Sequence, residues 1–219
     1  KNEKLNGFSK FFTPKLFVRY SPGHMRKITE GKLDHSNLFD INKVSDIDVL
    51  ENGLSSTFGF DYKINKLNSN NKIDYEKFSL TTGLVHNFEK NSDLPSSSSL
   101  NKKTSDLVGD LEYNINRNLK MSYNYSVENN FKESNYNDVG MELSLNDTKF
   151  NINYLEKKNQ FGHEESVSSG LDFKIKDSAE LSFSTKRNLV TSSAEFYSMS
   201  YNYINDCLKA GLLFRREFY

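Results

Sequence analysis

The sequence predicts an all-β chain: a segment of an antiparallel, up-and-down transmembrane β-barrel, contributing about 11 strands to a larger barrel. Three observations carry that prediction. Apolar and polar residues alternate with a period of two through most of the 219 residues, and no segment keeps a helical period over two turns. Tight turns rich in Asn and Asp alternate with longer polar connections through the second half. Aromatics are abundant, with 17 Phe and 12 Tyr, although only 36% of residues are hydrophobic. A disordered chain is poor in aromatics, and a compact soluble domain is usually about 45–50% apolar.

Each strand is justified by its own alternation. PKLFVRY near the start offers Leu16, Val18 and Tyr20 on one face, with Phe17 blurring the pattern. LSSTFGFDYKI puts Leu54, Phe58, Phe60, Tyr62 and Ile64 opposite Ser55, Thr57, Gly59, Asp61 and Lys63. FSLTTGLVHNF aligns Phe78, Leu80, Leu84 and Phe88. LVGDLEYNI sets Leu107, Leu111, Tyr113 and Ile115 against Asp110, Glu112 and Asn114. LKMSYNYSV sets Leu119, Met121, Tyr123, Tyr125 and Val127 against Lys120, Ser122, Asn124 and Ser126. Further faces follow at Val139–Leu145, Phe150–Tyr154, Val167–Ile175, Ala179–Phe183 and Tyr197–Tyr203. The last holds Leu208, Ala210, Leu212, Phe214 and Phe218.

The connections fall into two classes. Residues 116–118 (NRN), 146–148 (NDT), 176–178 (KDS) and 205–206 (ND) read as tight turns. Longer polar stretches lie between them, the Ser-rich EKNSDLPSSSSLNKKTS after Phe88 being the most linker-like. This is a β-meander with one tight rim and one loop-rich rim. A soluble barrel or sandwich would turn the apolar face inward; an outer-membrane barrel would turn it to lipid. Expected strand lengths of about 9–13 residues suffice to cross the hydrocarbon at a tilt. Charge and amide crowd the other face, the rim asymmetry matches periplasmic turns and extracellular loops, and Phe78 and Phe88 sit where interfacial girdles lie. About eleven one-sided strands also give a small soluble barrel too much interior apolar area. The localisation expected is therefore the cell outer membrane.

Parity adds an expectation. If the tight turns are periplasmic, the last strand rises from Cys207 and Tyr219 sits at the extracellular rim, whereas bacterial barrels end in the periplasm with an even strand number. Residues 1–219 are thus expected to be one partial barrel domain, cut at both ends. Cys207 is the only cysteine, placed at the opening of the final strand in an oxidising compartment, which favours a disulfide to a segment outside this chain over a buried free thiol.

Two stretches carry a resemblance. LFVRYSPGHMR (residues 16–26) and EFYSMSYNYINDCLKAGLLFRREFY (residues 195–219) resemble the C-terminal barrel region of the LptD family, the LPS-assembly outer-membrane proteins. The resemblance implies a barrel of about 26 strands, of which this chain would be roughly strands 15 to 25. It implies translocation and insertion of lipopolysaccharide into the outer leaflet. Implied partners are lipopolysaccharide, outer-membrane lipid, a lipoprotein plug of the LptE kind, and a periplasmic bridge protein acting through an N-terminal jellyroll domain. The resemblance further implies that this jellyroll, the first strands, the final strand and both edges of the lateral gate would lie outside this chain. Cys207 occupies the position of the barrel cysteine that is disulfide-bonded to the N-terminal domain. Alternatives are another outer-membrane barrel, a porin or TonB-dependent receptor, and a soluble β-rich binding module.

The sequence offers little catalytic chemistry. Basic and acidic residues balance at 29 each, so no basic patch argues for nucleic acid. His24, His35, His86 and His163 are scattered without zinc spacing, and no phosphate loop or nucleophile elbow appears. Asp110 and Glu112 are explained by a solvated lumen. No enzyme activity, cofactor or metal is expected. Lys15, Arg19, Lys120, Lys186, Lys209 and Arg215 are the expected lumen-facing cations, suited to lipopolysaccharide phosphates or to the plug. Pro22, Gly23, His24 and Arg26 open a loop, residues 21–53, long enough to fold over or into the lumen.

Overall fold

The computed structural model describes residues 2–5, 7–44, 49–175 and 178–218, the first four as backbone alone. The described chain forms one antiparallel sheet of twelve strands in strict sequence order. The strands are β1 (Asn2–Leu5), β2 (Phe8–Ser21), β3 (Gly53–Leu67), β4 (Ile73–Asn87), β5 (Leu107–Asn114) and β6 (Leu119–Val127). They continue with β7 (Ser134–Leu145), β8 (Thr148–Lys157), β9 (Glu164–Ile175), β10 (Ala179–Asn188), β11 (Ser193–Ile204) and β12 (Lys209–Glu217). Among the described residues β1 and β12 do not pair, so the sheet is open. No helix among the described residues is long and apolar enough to cross a membrane; that task falls to the strands.

The meander agrees with the expected architecture, with two differences. The sheet has one strand more than the eleven expected, the four-residue β1, and β2 begins at Phe8 rather than near Pro14. Phe8, Phe11 and Phe12 break the alternation there, which hides the strand. Pro14 is accommodated because β1 pairs only with residues 8–11, leaving Pro14 a strand neighbour on the β3 side alone. Apart from β1, strand lengths run from 8 residues in β5 to 15 in β3 and β4, wider than the expected range.

Asparagine builds the tight rim. The Asn68 side chain accepts from the Asn70 and Lys72 N–H groups, Asn116 from Asn118 and Leu119, and Asn205 from Cys207 and Leu208. Asn146 takes φ 48°, a left-handed conformation asparagine tolerates, in the two-residue turn between β7 and β8. Of the expected KDS turn, residues 176 and 177 lie outside the described residues, as does Tyr219. The opposite rim carries every long connection, the longest joining β2 to β3 and β4 to β5.

Register fixes the two faces. In β2, Leu16, Val18 and Tyr20 are 66%, 57% and 71% exposed, while the intervening Arg19 is 8% exposed. Cross-strand pairs keep like with like: Leu16 with Phe58 and Leu84, Leu111 with Tyr123 and Val139, Phe183 with Leu171 and Met199. All the expected apolar sets share this outer face. Removed from lipid, such a face is an unusually large exposed apolar surface. The buried apolar cluster lies on the other side, where Ile28, Leu33, Leu38, Val44 and Val49 of the β2–β3 connection meet Val85 and Val108 of the wall.

Candidate functional site

The β2–β3 connection, a strap of residues 22–44 and 49–52, lies against the inner face of the sheet. It has no regular secondary structure, so its position depends on side-chain anchors. The first is a pair of glycines. Gly59 and Gly83 are cross-strand partners on the inner face. A Cβ on Gly83 would come 2.7 Å from Leu38 Cδ2 and 2.4 Å from the Phe58 carbonyl, and one on Gly59 would come 3.0 Å from Phe39 Cζ. Two residues without side chains therefore open a shallow seat in a polar wall, and Leu38 and Phe39 fill it.

The second anchor is electrostatic. Arg19 projects inward from β2 and donates through Nη1 to Glu51 Oε2 at 2.7 Å and to the Ile41 carbonyl at 2.8 Å. Glu51 Oε1 accepts the backbone N–H groups of Lys43 and Val44 at 2.5 and 3.0 Å. Glu51 is 1% exposed and Lys43 fully buried. Among the described residues the Lys43 ammonium reaches the Asp40 carbonyl at 3.2 Å and the Phe17 ring at 5.2 Å. Burial pulls it down from 10.5 to about 8, against the opposing pull of Glu51.

The β4–β5 connection packs beside the strap. Ile28 N–H donates to the Asp93 carbonyl at 2.8 Å, and Ser97 Oγ to the Gly31 carbonyl at 2.7 Å. Asn87 Nδ2 holds the Leu100 and Lys102 carbonyls at 2.7 and 3.0 Å. The connection ends in a buried hub, Asp106, whose Oδ2 accepts from Asn135 at 2.9 Å and Gln160 at 2.5 Å. Strap, second connection and the short helical turn Asn159–Phe161 thus close on one another above the inner wall. Further along the strap, Lys32 lies 3.5 Å over the Tyr136 ring, and burial lowers its ammonium.

The six cations expected to face a lumen lie on the strap side of the sheet, at different places. Lys15 pairs with Asp61 at 2.7 Å and lies over Phe39, beside the strap seat; Arg19 holds Glu51. Lys120 pairs with Glu112 at 2.6 Å. Lys186 bridges Glu164 at 3.0 Å and Glu195 at 2.9 Å, and Glu164 also takes Lys157 at 2.7 Å, giving a chain of alternating charge along β8–β11. Arg215 donates to Glu217 at 2.8 Å and lies 4.3 Å over Phe196. Lys209 stands exposed near the tight rim.

Of the loop candidates, the Gly23 carbonyl accepts from Asn52 at 3.0 Å, which ties the two ends of the strap together. Pro22, His24 and Arg26 lie in its first turn and outside the buried cluster. Cys207 is an exposed free thiol in the tight turn, two positions before β12 begins. No metal-binding group of His, Cys, Asp and Glu occurs among the described residues. Sequence reasoning missed Glu51, Lys43 and Asp106. Two signals were available: Gly59 opposite Gly83, and Val85 and Val108 on faces otherwise polar.

The inner face therefore offers ion pairs, hydroxyls and amides, partly covered by the strap, and the outer face offers hydrocarbon. A family described as LptD, LPS transport system D, matches residues 3–185. The match takes in LFVRYSPGHMR and stops before the stretch at residues 195–219. No curated protein matches the chain.

Proposed function

The chain belongs to the LptD family, a transport and assembly family of the outer membrane concerned with LPS, and from that premise we propose that it forms part of the barrel wall along which lipopolysaccharide is translocated and inserted into the outer leaflet. The observation that supports this most is the two-faced wall. A glycolipid carries a charged saccharide and a set of acyl chains, which need opposite surroundings. The inner face, with Lys157, Glu164, Lys186 and Glu195 in alternation, suits the saccharide and its phosphates. The outer face matches the acyl region of the bilayer.

In this reading residues 1–219 are one part of a barrel domain, and closing the sheet in lipid needs further strands against β1 and β12. A lipoprotein plug of the LptE kind meets the inner face, and a periplasmic bridge delivers cargo through an N-terminal jellyroll. Cys207, on the tight rim, forms a disulfide with that domain. The wall carries out no catalysis. Five of the six inward cations already hold a carboxylate: Arg19 mainly holds the strap through Glu51, and the other four act by exchanging partners as phosphate passes.

Photo-crosslinking tests the reading. A benzophenone amino acid at Asn153 or Ser198, both inward, is expected to capture lipopolysaccharide in cells during transport. Absence of any adduct at both positions, while lipopolysaccharide still reaches the surface through this protein, would overturn it.

A further inference from the structure

The outer face of β8–β12 is not uniformly apolar bulk. It carries a groove of about 370 Å³. Two small residues, Ser169 of β9 and Thr185 of β10, pair directly across the sheet and make its floor. The adjoining row toward the tight rim is large and apolar, with Leu171, Phe183 and Met199 in register, and Tyr197 flanks Thr185. Small residues between bulky ones leave a slot open to lipid.

Toward the loop rim the same face becomes cationic. Arg187 follows Thr185 on β10, and Arg216 of β12 pairs with Tyr197. Both are exposed, and neither joins an ion pair among the described residues. Arg187 donates to the Ser192 carbonyl at 3.1 Å, and Arg216 lies 4.8 Å from the Phe218 ring centre. The nearest acids on this face, Glu165 and Glu156, are engaged by the Tyr154 hydroxyl at 3.0 Å and by Lys158 at 2.6 Å. Arginine on the lipid face of a barrel is tolerated at the interface and costly at the midplane. Arg187 lies beyond the Ser169–Thr185 floor toward the loop rim, and Arg216 stands in the floor's own cross-strand row beside Tyr197, so the two guanidinium groups border the slot on its loop-rim side and its β12 side, where a fork matches phosphate.

We propose that β8–β12 form an outer-wall binding site for a phosphorylated, multiply acylated lipid of the outer leaflet, lipopolysaccharide itself, with one acyl chain in the Ser169–Thr185 slot and phosphate on Arg187 and Arg216. The site rests on the reading of the loop rim as extracellular and of lipopolysaccharide as cargo. It is separate from the inner path: it holds a molecule that has already entered the leaflet.

The test uses the full-length protein with its native partners, purified from outer membranes into detergent micelles and stripped of lipid. Two variants are compared with the parent: R187Q/R216Q, which removes the charge, and S169L/T185L, which fills the slot with apolar bulk suited to lipid. Native mass spectrometry counts bound lipid after addition of bis-phosphorylated lipid A, dephosphorylated lipid A or phosphatidylglycerol. Retention of bis-phosphorylated lipid A is expected to fall at least tenfold in both variants. Phosphatidylglycerol should be unchanged, and dephosphorylated lipid A should bind the parent and R187Q/R216Q alike. Unchanged lipid A retention in either variant overturns the site, and an equal loss of phosphatidylglycerol reduces it to a general anionic annulus. Surface display of lipopolysaccharide, measured in parallel, separates the two readings. Normal display with insensitive retention defeats only the site, whereas a parent protein that supports no display defeats the transport reading.

Discussion

Replacing Glu51 with alanine removes one carboxylate that satisfies three buried donors: the Arg19 guanidinium and the N–H groups of Lys43 and Val44. Arg19 is then left unpaired in a place with almost no water, a loss of about 3–5 kcal/mol when one partner of a buried pair is deleted. The orphaned N–H groups add about 1–3 kcal/mol each if the strap stays in place. The strap escapes part of that cost by undocking, so the effective loss of docking is about 4 kcal/mol, close to three decades in equilibrium constant. Hydrogen exchange of the Lys43 and Val44 amides, in the full-length protein in nanodiscs, reads this directly. Their protection is expected to fall about a thousandfold, or to the unprotected rate if native protection is smaller, while the ladder amides of β9–β11 are unaffected. Arg19→Met combined with Glu51→Met should recover only the part due to the unpaired guanidinium, because the Lys43 and Val44 N–H groups still lack their acceptor. Unchanged protection in Glu51→Ala would refute the assignment of Glu51 as the strap's electrostatic anchor.

Lys43 gives a pH signature. Its ammonium is pulled from 10.5 to about 8 by burial. Below pH 8 it is charged in the docked and undocked strap alike, and docking bears the full burial cost; between 8 and 10.5 only the docked form is neutral, so docking strengthens as pH rises. Spin-label distances from Ile41 to Phe58, in a Cys207→Ser background, should tighten over that window, and Lys43→Met should be tight at pH 7, by roughly 3 kcal/mol, without the pH dependence. Leu38→Ala empties the glycine seat and should weaken docking by about 2–5 kcal/mol, read as faster proteolysis of the strap in intact membranes; a wild-type rate would contradict the seat. Asp106→Ala should release the β4–β5 connection, seen as lost exchange protection at Ser105, whose N–H donates to the Val85 carbonyl at 2.9 Å. Lys186→Met, by contrast, cuts a half-exposed charge chain and should cost no more than about 1 kcal/mol in barrel stability.

Most of the wall was legible because lipid imposes a one-residue rule: every second side chain must be apolar, and Phe58 to Ile64 or Tyr197 to Tyr203 obey it without help from distant contacts. The twelfth strand was hidden because β1 is only four residues long and the phenylalanines that follow it break that rule. The strap was illegible for a different reason. Ile28, Leu33, Leu38, Val44 and Val49 recur every five or six residues, a spacing that matches neither the two of a strand nor the 3.6 of a helix. Arg19 could be placed on the inner face from β2 alone. Its partner Glu51 lies at the far end of the longest connection, and nothing local announces the pairing. Cation identity and facing were readable; the carboxylates that hold those cations depend on cross-strand register, which alternation does not specify between strands.

Transport along this wall requires the apolar face to meet lipid and the polar face to meet water. A cysteine scan through β11 in native outer membranes, in a Cys207→Ser background, tests that most directly. Cysteines at positions 198, 200 and 202 should react with a charged, water-soluble maleimide, while those at 197, 199 and 201 should resist it and instead be quenched by lipid-borne nitroxide when labelled with a lipophilic dye. The reverse pattern, or reactivity with no period of two, would contradict the membrane wall and with it the transport path built on its inner face.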